Sequence, residues 1–427
     1  MKTKILITIG LFLPALVFGR QGDSTLSLQE VYDEVQSNYP VAEKQDLQQK
    51  ITALKDQIAR SGIFPEISLH ADATYQSEVT TLPFSNPGIT TPELSKDHYS
   101  ISMEVSQPIY DGGLTNSRRK LTSGESEVED SRVEVTMWEI RSQAQQVYFG
   151  ILNLQKRQAT VSVLMQDLEE QLESVQTKVK NGVMLPGSAM VLKAELLKVR
   201  QSHLQFQYEI KAAYEVLGEL MGRQIKAQPN LSLPKIDLNK IEELEITRPE
   251  LKLFEARSQV FDLKQDLTLT DRNPKVSAFA KGAYGRPGFN VFDDDLHPYW
   301  MVGVRASWSF RNWDNAGKQV EVEKLQQKKV RLDEQAFLIG VRAELAEISK
   351  RIEQSQEQMI LDEQILELRE QVAEEKKNQL EQGVITATEY ISELNQEAQA
   401  RLNVEIRKLQ LIQYQIEYLT KKGISWN

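Results

Sequence analysis

The chain has 427 residues, 40% of them hydrophobic and 26% charged, which is too long for one ordinary core and too polar for a bundle of membrane-spanning helices. It contains no cysteine and only 4 histidines, which removes thiolate zinc sites, iron–sulfur clusters, disulfide scaffolds, cysteine nucleophiles and a lipid attached through Cys. With 51 Lys+Arg against 61 Asp+Glu the net charge is -10, which argues against nucleic acid as a partner, since phosphate binding needs a basic face.

The chain opens with Met1, Lys2, Thr3 and Lys4, runs apolar from Ile5 to Phe18, and passes Val17 and Gly19 before polar Arg20 and Gln21. A basic start, a short apolar run and a small-residue exit predict a secretory signal peptide over residues 1–19. As a membrane anchor, a run of about 14 residues is short, and Pro14 interrupts it. No later stretch offers about 18 consecutive apolar residues, so an exported chain of this kind meets a membrane as a β-barrel, at a surface, or not at all.

A helical pattern from about Ser27 to Gly62 gives way to period two. Ile67, Leu69, Ala71, Ala73 and Tyr75 alternate with Ser68, His70, Asp72, Thr74 and Gln76, predicting a strand at about 65–77. A second strand, at about 99–110, carries Tyr99, Ile101, Met103 and Val105 on one face and Ser100, Ser102, Glu104 and Ser106 on the other. Pro83, Asn86, Pro87, Gly88 and Pro92 make the segment between them a loop.

From Leu114 to Lys180 there is no proline, which allows one helix at about 114–180, roughly 100 Å long. Its residues Ala144, Val147, Ile151, Leu154, Gln158, Val161, Met165, Leu168, Leu172, Val175 and Val179 alternate spacings of three and four, a heptad seam with one polar break. Asn181 and Gly182 end it, and a return helix follows at about 188–221. These elements form a first repeat over 20–222, and the Pro-containing stretch 223–247 is a linker.

Residues 248–427 repeat the plan: a helix, strands at about 275–285 and 299–311, a long helix at about 316–381, a turn at Gln382 and Gly383, and a helix at about 386–421. Phe64-Pro65-Glu66-Ile67-Ser68 aligns with Asn273-Pro274-Lys275-Val276-Ser277, Asp111-Gly112-Gly113 with Asp314-Asn315-Ala316-Gly317, and Asn181-Gly182-Val183 with Gln382-Gly383-Val384, at offsets of about 201 to 209 residues, so the chain is a tandem duplication. In the last strand Trp300, Val302, Val304, Ala306 and Trp308 share one face; with Ile101, Met103 and Val105 they are candidates to face lipid. Four strands have two open edges and close into a barrel only in an oligomer.

Enzyme chemistry finds no foothold. There is no Walker loop, Asp293-Asp294-Asp295-Leu296-His297 lacks a second ligand group at metal spacing, and His70, His98 and His203 stand in no triad pattern. We expect no catalysis, cofactor or metal.

The signal peptide, the duplicated strand–strand–long-helix units, the Asp-Gly-Gly start of the long helix and the Gly-centred turns resemble the TolC-like outer membrane efflux protein family over essentially the whole mature chain. The resemblance implies a mainly α fold with transmembrane β: a homotrimer whose protomers give four strands each to a twelve-stranded barrel, continued by an α-helical coiled-coil tunnel. It further implies location in the outer membrane of a Gram-negative bacterium, with outer-membrane lipid, a periplasmic adaptor and an inner-membrane pump as partners. Family members carry an acidic residue six positions after the glycine of the second helical turn, which falls on Glu389, with Ser392 at a second place three residues on. Ser188 holds the equivalent place in the first half. One ring of three glutamates is then expected at the tunnel mouth, with mutual repulsion raising the pKa of at least one. The turns Asn181, Gly182, Val183, Met184, Leu185 and Gln382, Gly383, Val384, Ile385, Thr386 match the tips that the family presents to adaptors.

The leading function is a passive exit duct from an inner-membrane pump to the exterior. The alternative is a periplasmic coiled-coil adaptor or scaffold whose strands form a soluble domain.

Overall fold

The computed structural model describes residues 25–80, 94–225, 228–234 and 245–424. The signal segment 1–19, the loop from Pro83 to Pro92 and much of the linker 223–247 therefore lie outside the described residues. The elements are α1 (Leu28–Asn38), α2 (Glu43–Ser61), β1 (Glu66–Tyr75), β2 (Asp97–Tyr110), α3 (Leu114–Lys180), α4 (Pro186–Leu220), α5 (Pro249–Leu269), β3 (Lys275–Arg286), β4 (His297–Ser307), α6 (Asn312–Glu381) and α7 (Ala387–Lys422). The order helix, strand, strand, long helix, helix occurs twice, so the chain is internally duplicated.

The start of α3 shows how a few residues launch a helix of 67 residues. Gly112 and Gly113 sit at φ 75 and 90, which side-chain-bearing residues rarely adopt. Asp111 closes this turn by accepting from the backbone N–H of Gly113 at 2.9 Å and of Thr115 at 2.7 Å. Burial pushes the Asp111 carboxyl upward, but these hydrogen bonds outweigh it and hold it below the usual carboxylate range. The matching Asp314-Asn315-Ala316-Gly317 does not make a turn, because α6 already begins at Asn312.

Strand β4 stops at Ser307, short of the stretch 299–311 expected from the alternation. The indole Nε1 of Trp308 donates to the Arg272 carbonyl at 2.9 Å, at the junction that leads into β3. Trp308, Phe310 and Trp313 then cluster with ring centroids 4.7 to 6.0 Å apart, forming an aromatic knot between sheet and helix.

Three apolar clusters hold the helices. In the middle of the molecule α1, α3, α4 and α7 bury Leu28, Val31, Tyr148, Ile151, Leu217 and Ile416. At the far end α3, α4, α6 and α7 bury Leu168, Val175, Leu192, Leu380, Tyr390 and Leu394. Nearer the sheet, Val128 of α3 meets Leu253, Ala256 and Val260 of α5. The heptad seam of α3 serves the first two clusters: Ala144 and Ile151 are buried in one, Leu168 and Val175 in the other.

The four strands form one antiparallel sheet in the order β1-β2-β3-β4. Each strand continues into or out of a helix: α2 precedes β1, β2 runs into α3, α5 leads to β3, and β4 into α6. The helices below the sheet consequently neighbour one another in the same sequence, α2 beside α3, α3 beside α5 and α5 beside α6.

Candidate functional site

The register decides which side chains share a face of the sheet. Ile67 pairs with Val105, Val105 with Ala280, and Ala280 with Val302; one step along, Leu69, Met103, Gly282 and Trp300 line up in the same way. Ile101 and Val304 fall on this face by the same count, and so does Ala306 opposite Val276. The face is apolar across all four strands, and Trp300 and Val304 are 74% and 68% exposed on it. Among the described residues no helix packs on the sheet. Trp308 stands apart from the other lipid-facing candidates, beyond the strand end in the aromatic knot.

The opposite face is polar. Ser68, Glu104, Lys281 and Met301 occupy one row, and Ser277 pairs with Arg305 nearby. Arg305 reaches Glu104 at 3.6 Å and lies 4.7 Å from the ring centre of Phe279. A sheet with one polar face and one exposed apolar face is the inverse of a water-soluble β-domain, whose apolar face is covered.

Both sides of the layer end in unpaired apolar stripes. On α2, Leu47, Ile51, Leu54 and Ile58 are exposed at spacings of four, three and four, below the unpaired edge of β1. On the other side, α6 exposes Val322, Leu325, Leu332 and Ile339 below the unpaired edge of β4. Farther down, the helix order becomes α4, α3, α7, α6, and the outer helices again carry stripes: Met190, Leu197, Leu204 and Tyr208 on α4, Leu361, Ile365, Leu368 and Val372 on α6. The two sides differ in sequence, one built from α2 and α4 and the other from α6.

The two hairpin turns are built alike. Gly182 and Gly383 have φ 73 and 74, where glycine is favoured. In the first, the N–H of Val183 donates to the Lys178 carbonyl at 2.9 Å and that of Gly182 to Val179 at 3.0 Å; in the second, Val384 donates to Gln379 at 2.9 Å and Gly383 to Leu380 at 3.0 Å. Lys178 Nζ ties the turns together through the Glu381 carbonyl at 3.0 Å. Val183, Leu185 and Val384 point outward, Leu185 being 78% exposed, while Met184 and Ile385 pack against the tip core. Asn181 and Gln382 cap the two long helices.

Glu389 stands at the third position of α7 and closes a capping box. Its Oε2 accepts from the Thr386 backbone N–H at 2.8 Å and from the Thr386 hydroxyl at 2.9 Å, while the Thr386 Oγ1 accepts from the Glu389 N–H at 3.3 Å. The Thr386 backbone bond holds the Glu389 carboxyl below its usual range, so within one copy the shift runs opposite to the rise expected from a glutamate ring. Ser392 is exposed one turn on, and Ser188 is half-buried at the start of α4. The sequence reading passed over the edge stripes, although Met190, Leu197 and Leu204 recur at a strict seven-residue spacing that would have revealed one of them.

The fold defined by these elements is that of a TolC-like outer-membrane channel. The outer membrane efflux protein family model matches residues 36–223, and the resemblance to that family read from the sequence is borne out. VceC, an outer membrane protein of Vibrio cholerae, has 15% identity to the chain and a TM-score of 0.69, covering 94% of this chain and 97% of its own. The CmeC outer membrane channel of Campylobacter jejuni gives 13% identity and a TM-score of 0.66, covering 99% and 94%. The open-state MtrE outer membrane channel of Neisseria gonorrhoeae gives 13% and 0.64, covering 93% and 89%. No sequence among the curated proteins matches the chain significantly.

Proposed function

We propose that three copies close into a twelve-stranded barrel in the outer membrane, continued by a helical tunnel, and that the assembly is a passive exit duct. The observation that carries this reading is the pair of unlike apolar edges, on α2 and α4 on one side and on two stretches of α6, from Val322 to Ile339 and from Leu361 to Val372, on the other. An apolar outer face of the sheet and a polar inner one supply the surfaces that lipid and a water-filled lumen require.

The partners are a periplasmic adaptor, met by the exposed Val183, Leu185 and Val384 at the hairpin turns, and an inner-membrane pump that supplies the cargo. The duct performs no chemistry on what it conducts. Residues 1–19 direct export, and residues 223–247 join the two repeats, 20–222 and 248–427.

Cysteines placed along α4 and α6, beginning with Leu197→Cys combined with Leu368→Cys, test the closure. Cross-links form between copies and stop at a covalent trimer in outer-membrane fractions. A monomer recovered from the soluble periplasmic fraction would instead favour the adaptor or scaffold reading. Val384→Asp and Leu185→Asp test the tips: trimers form normally while export in cells falls.

A further inference from the structure

Below the sheet, α2 and α5 both pack against α3, and between them a trough of about 670 Å³ runs along α3. Val128 of α3 and Val260 of α5 form its floor, 9% and 8% exposed, and half-buried Phe261 extends the apolar surface. On α5 the lining residues are Arg257, Val260, Phe261 and Lys264, at spacings of three, one and three, so two cations bracket an apolar pair on one helix face. From the opposite wall α2 adds Lys55, and Ile51 stands at the rim.

The chain as a whole is acidic, with a net charge of -10, yet this trough is not. Its acids are Glu125 and Glu129, and Glu129 is neutralised by Arg132 at 2.6 Å. Lys55, Arg257 and Lys264 have no ion pair among the described residues, and Glu125 is the unpaired acid facing them, so positive charge is in excess. The Lys264 ammonium stands 5.2 Å from the ring centre of Phe261, which sets a positive charge at the border of the apolar floor. Arg257 is half-buried, and its guanidinium is a planar fork of donors suited to two oxygens of one acid group.

The volume falls within the range of ligand sites, about 300 to 1,000 Å³. Its lining runs along α3 from Thr122 to Arg132, about 15 Å at the helical rise, far longer than an inorganic anion. Phosphate or sulfate alone would leave Val128, Val260 and Phe261 wetted, and a neutral apolar molecule would strip water from the cations without replacing it. We infer that the trough between α2 and α5 is a binding site for an amphipathic organic anion, whose carboxylate or sulfonate meets Arg257 and Lys264 while its apolar body lies on Val128, Val260 and Phe261. The acid group is that of a dissolved molecule and not of a lipid, because the trough is centred near Glu127, roughly 20 Å along α3 from Leu114, where the helix leaves the sheet. Ile51 also belongs to the α2 stripe that the duct reading gives to a neighbouring copy. The floor and the acid-binding cations lie on α3 and α5 of one copy, so the site stands or falls independently of the duct.

The test uses the full-length protein in phosphatidylcholine nanodiscs at physiological salt, with titration calorimetry read against empty discs. Naphthalene-2-sulfonate is the probe, and 2-naphthol and sodium sulfate present its apolar body and its charge separately. One naphthalene-2-sulfonate binds per copy, about tenfold or more tightly than either control. Arg257→Gln and Lys264→Gln each weaken it about tenfold, and Glu125→Gln, which removes the unpaired acid, tightens it about threefold. Lys252→Gln, the same loss of charge on α5 outside the trough, leaves it unchanged. Tightening does not arise from a damaged fold, so Glu125→Gln keeps the test decisive if a cation variant fails to fold. Replacing part of the lipid with phosphatidylglycerol leaves the affinity unchanged, because screening acts over about 8 Å and the trough lies farther than that from the headgroups. Absence of binding, either control matching the probe, full affinity in Arg257→Gln and Lys264→Gln, no tightening in Glu125→Gln, an equal loss in Lys252→Gln, or displacement of the probe by phosphatidylglycerol would each overturn the assignment.

Discussion

At the hairpin tips Leu168, Val175, Leu192 and Leu380 are fully buried, whereas on the sheet Trp300, Val302 and Val304 are among the most exposed side chains and Ser102 is buried. One chain thus contains a core built for water and a surface that water disfavours. The tip follows the usual rule, in which helices hide an apolar stripe from solvent. The sheet inverts it, with polar residues such as Glu104, Lys281 and Arg305 on one face and exposed apolar residues on the other. What distinguishes the two regions is the medium that each faces, and substitutions of the same kind should have opposite consequences in them.

The largest effect is expected in the tip core. Leu380→Ala removes a side chain that is 0% exposed, and should cost about 2–5 kcal/mol in chemical denaturation. A cost near zero would show that this cluster is not a packed, water-excluding core. Next comes Val304→Arg on the outer face of β4, which should impair insertion by about 2–4 kcal/mol if it lies near the bilayer midplane. Ser307→Arg, on the other face, should be tolerated in the same membrane-assembly assay; equal tolerance of both would break the contrast between lipid and lumen faces.

A smaller effect separates the two hairpin turns. The return helix α7 begins with the Thr386–Glu389 capping box, while α4 begins at Pro186 with Leu185 as an N-cap that offers no side-chain hydrogen bond. Thr386→Ala should therefore destabilise by about 1 kcal/mol, read as a lower unfolding midpoint.

The smallest effect is the pH response of Glu389. Its folded-state pKa is lowered, so its contribution to stability is present above the unfolded-state value and is lost as pH falls through the lowered one. The unfolding midpoints of the native protein and Glu389→Gln should differ slightly at neutral pH and converge in acid. A gap that persists in acid would mean that Glu389 acts through something other than its charged cap.

Much of this architecture was legible in the residues because its signals are local and repeated. The strand faces follow from period-two alternation in Ile67 to Tyr75 and Trp300 to Ala306, and α3 runs from Leu114 to Lys180 because no proline and few glycines interrupt it. The turn at Gly182 and Gly383 is equally local, since a left-handed glycine after a long helix is enough to end it. The end of β4 was less legible: alternation continues through Trp308 and Phe310, but the strand stops at Ser307 and Trp308 turns to the Arg272 carbonyl and the aromatic cluster instead.

By itself the sequence determined the mainly helical fold with four strands, the two hairpins and the apolar sheet face, because each depends on spacing along a few consecutive residues. Tertiary structure alone decided that Glu389 serves as a cap, that Met184 and Ile385 turn inward while Leu185 and Val384 turn out, and that Lys55, Val128 and Arg257 line one trough. Those facts depend on how the helices lie side by side. Residues about two hundred positions apart meet there, and no local period in the chain encodes their distance.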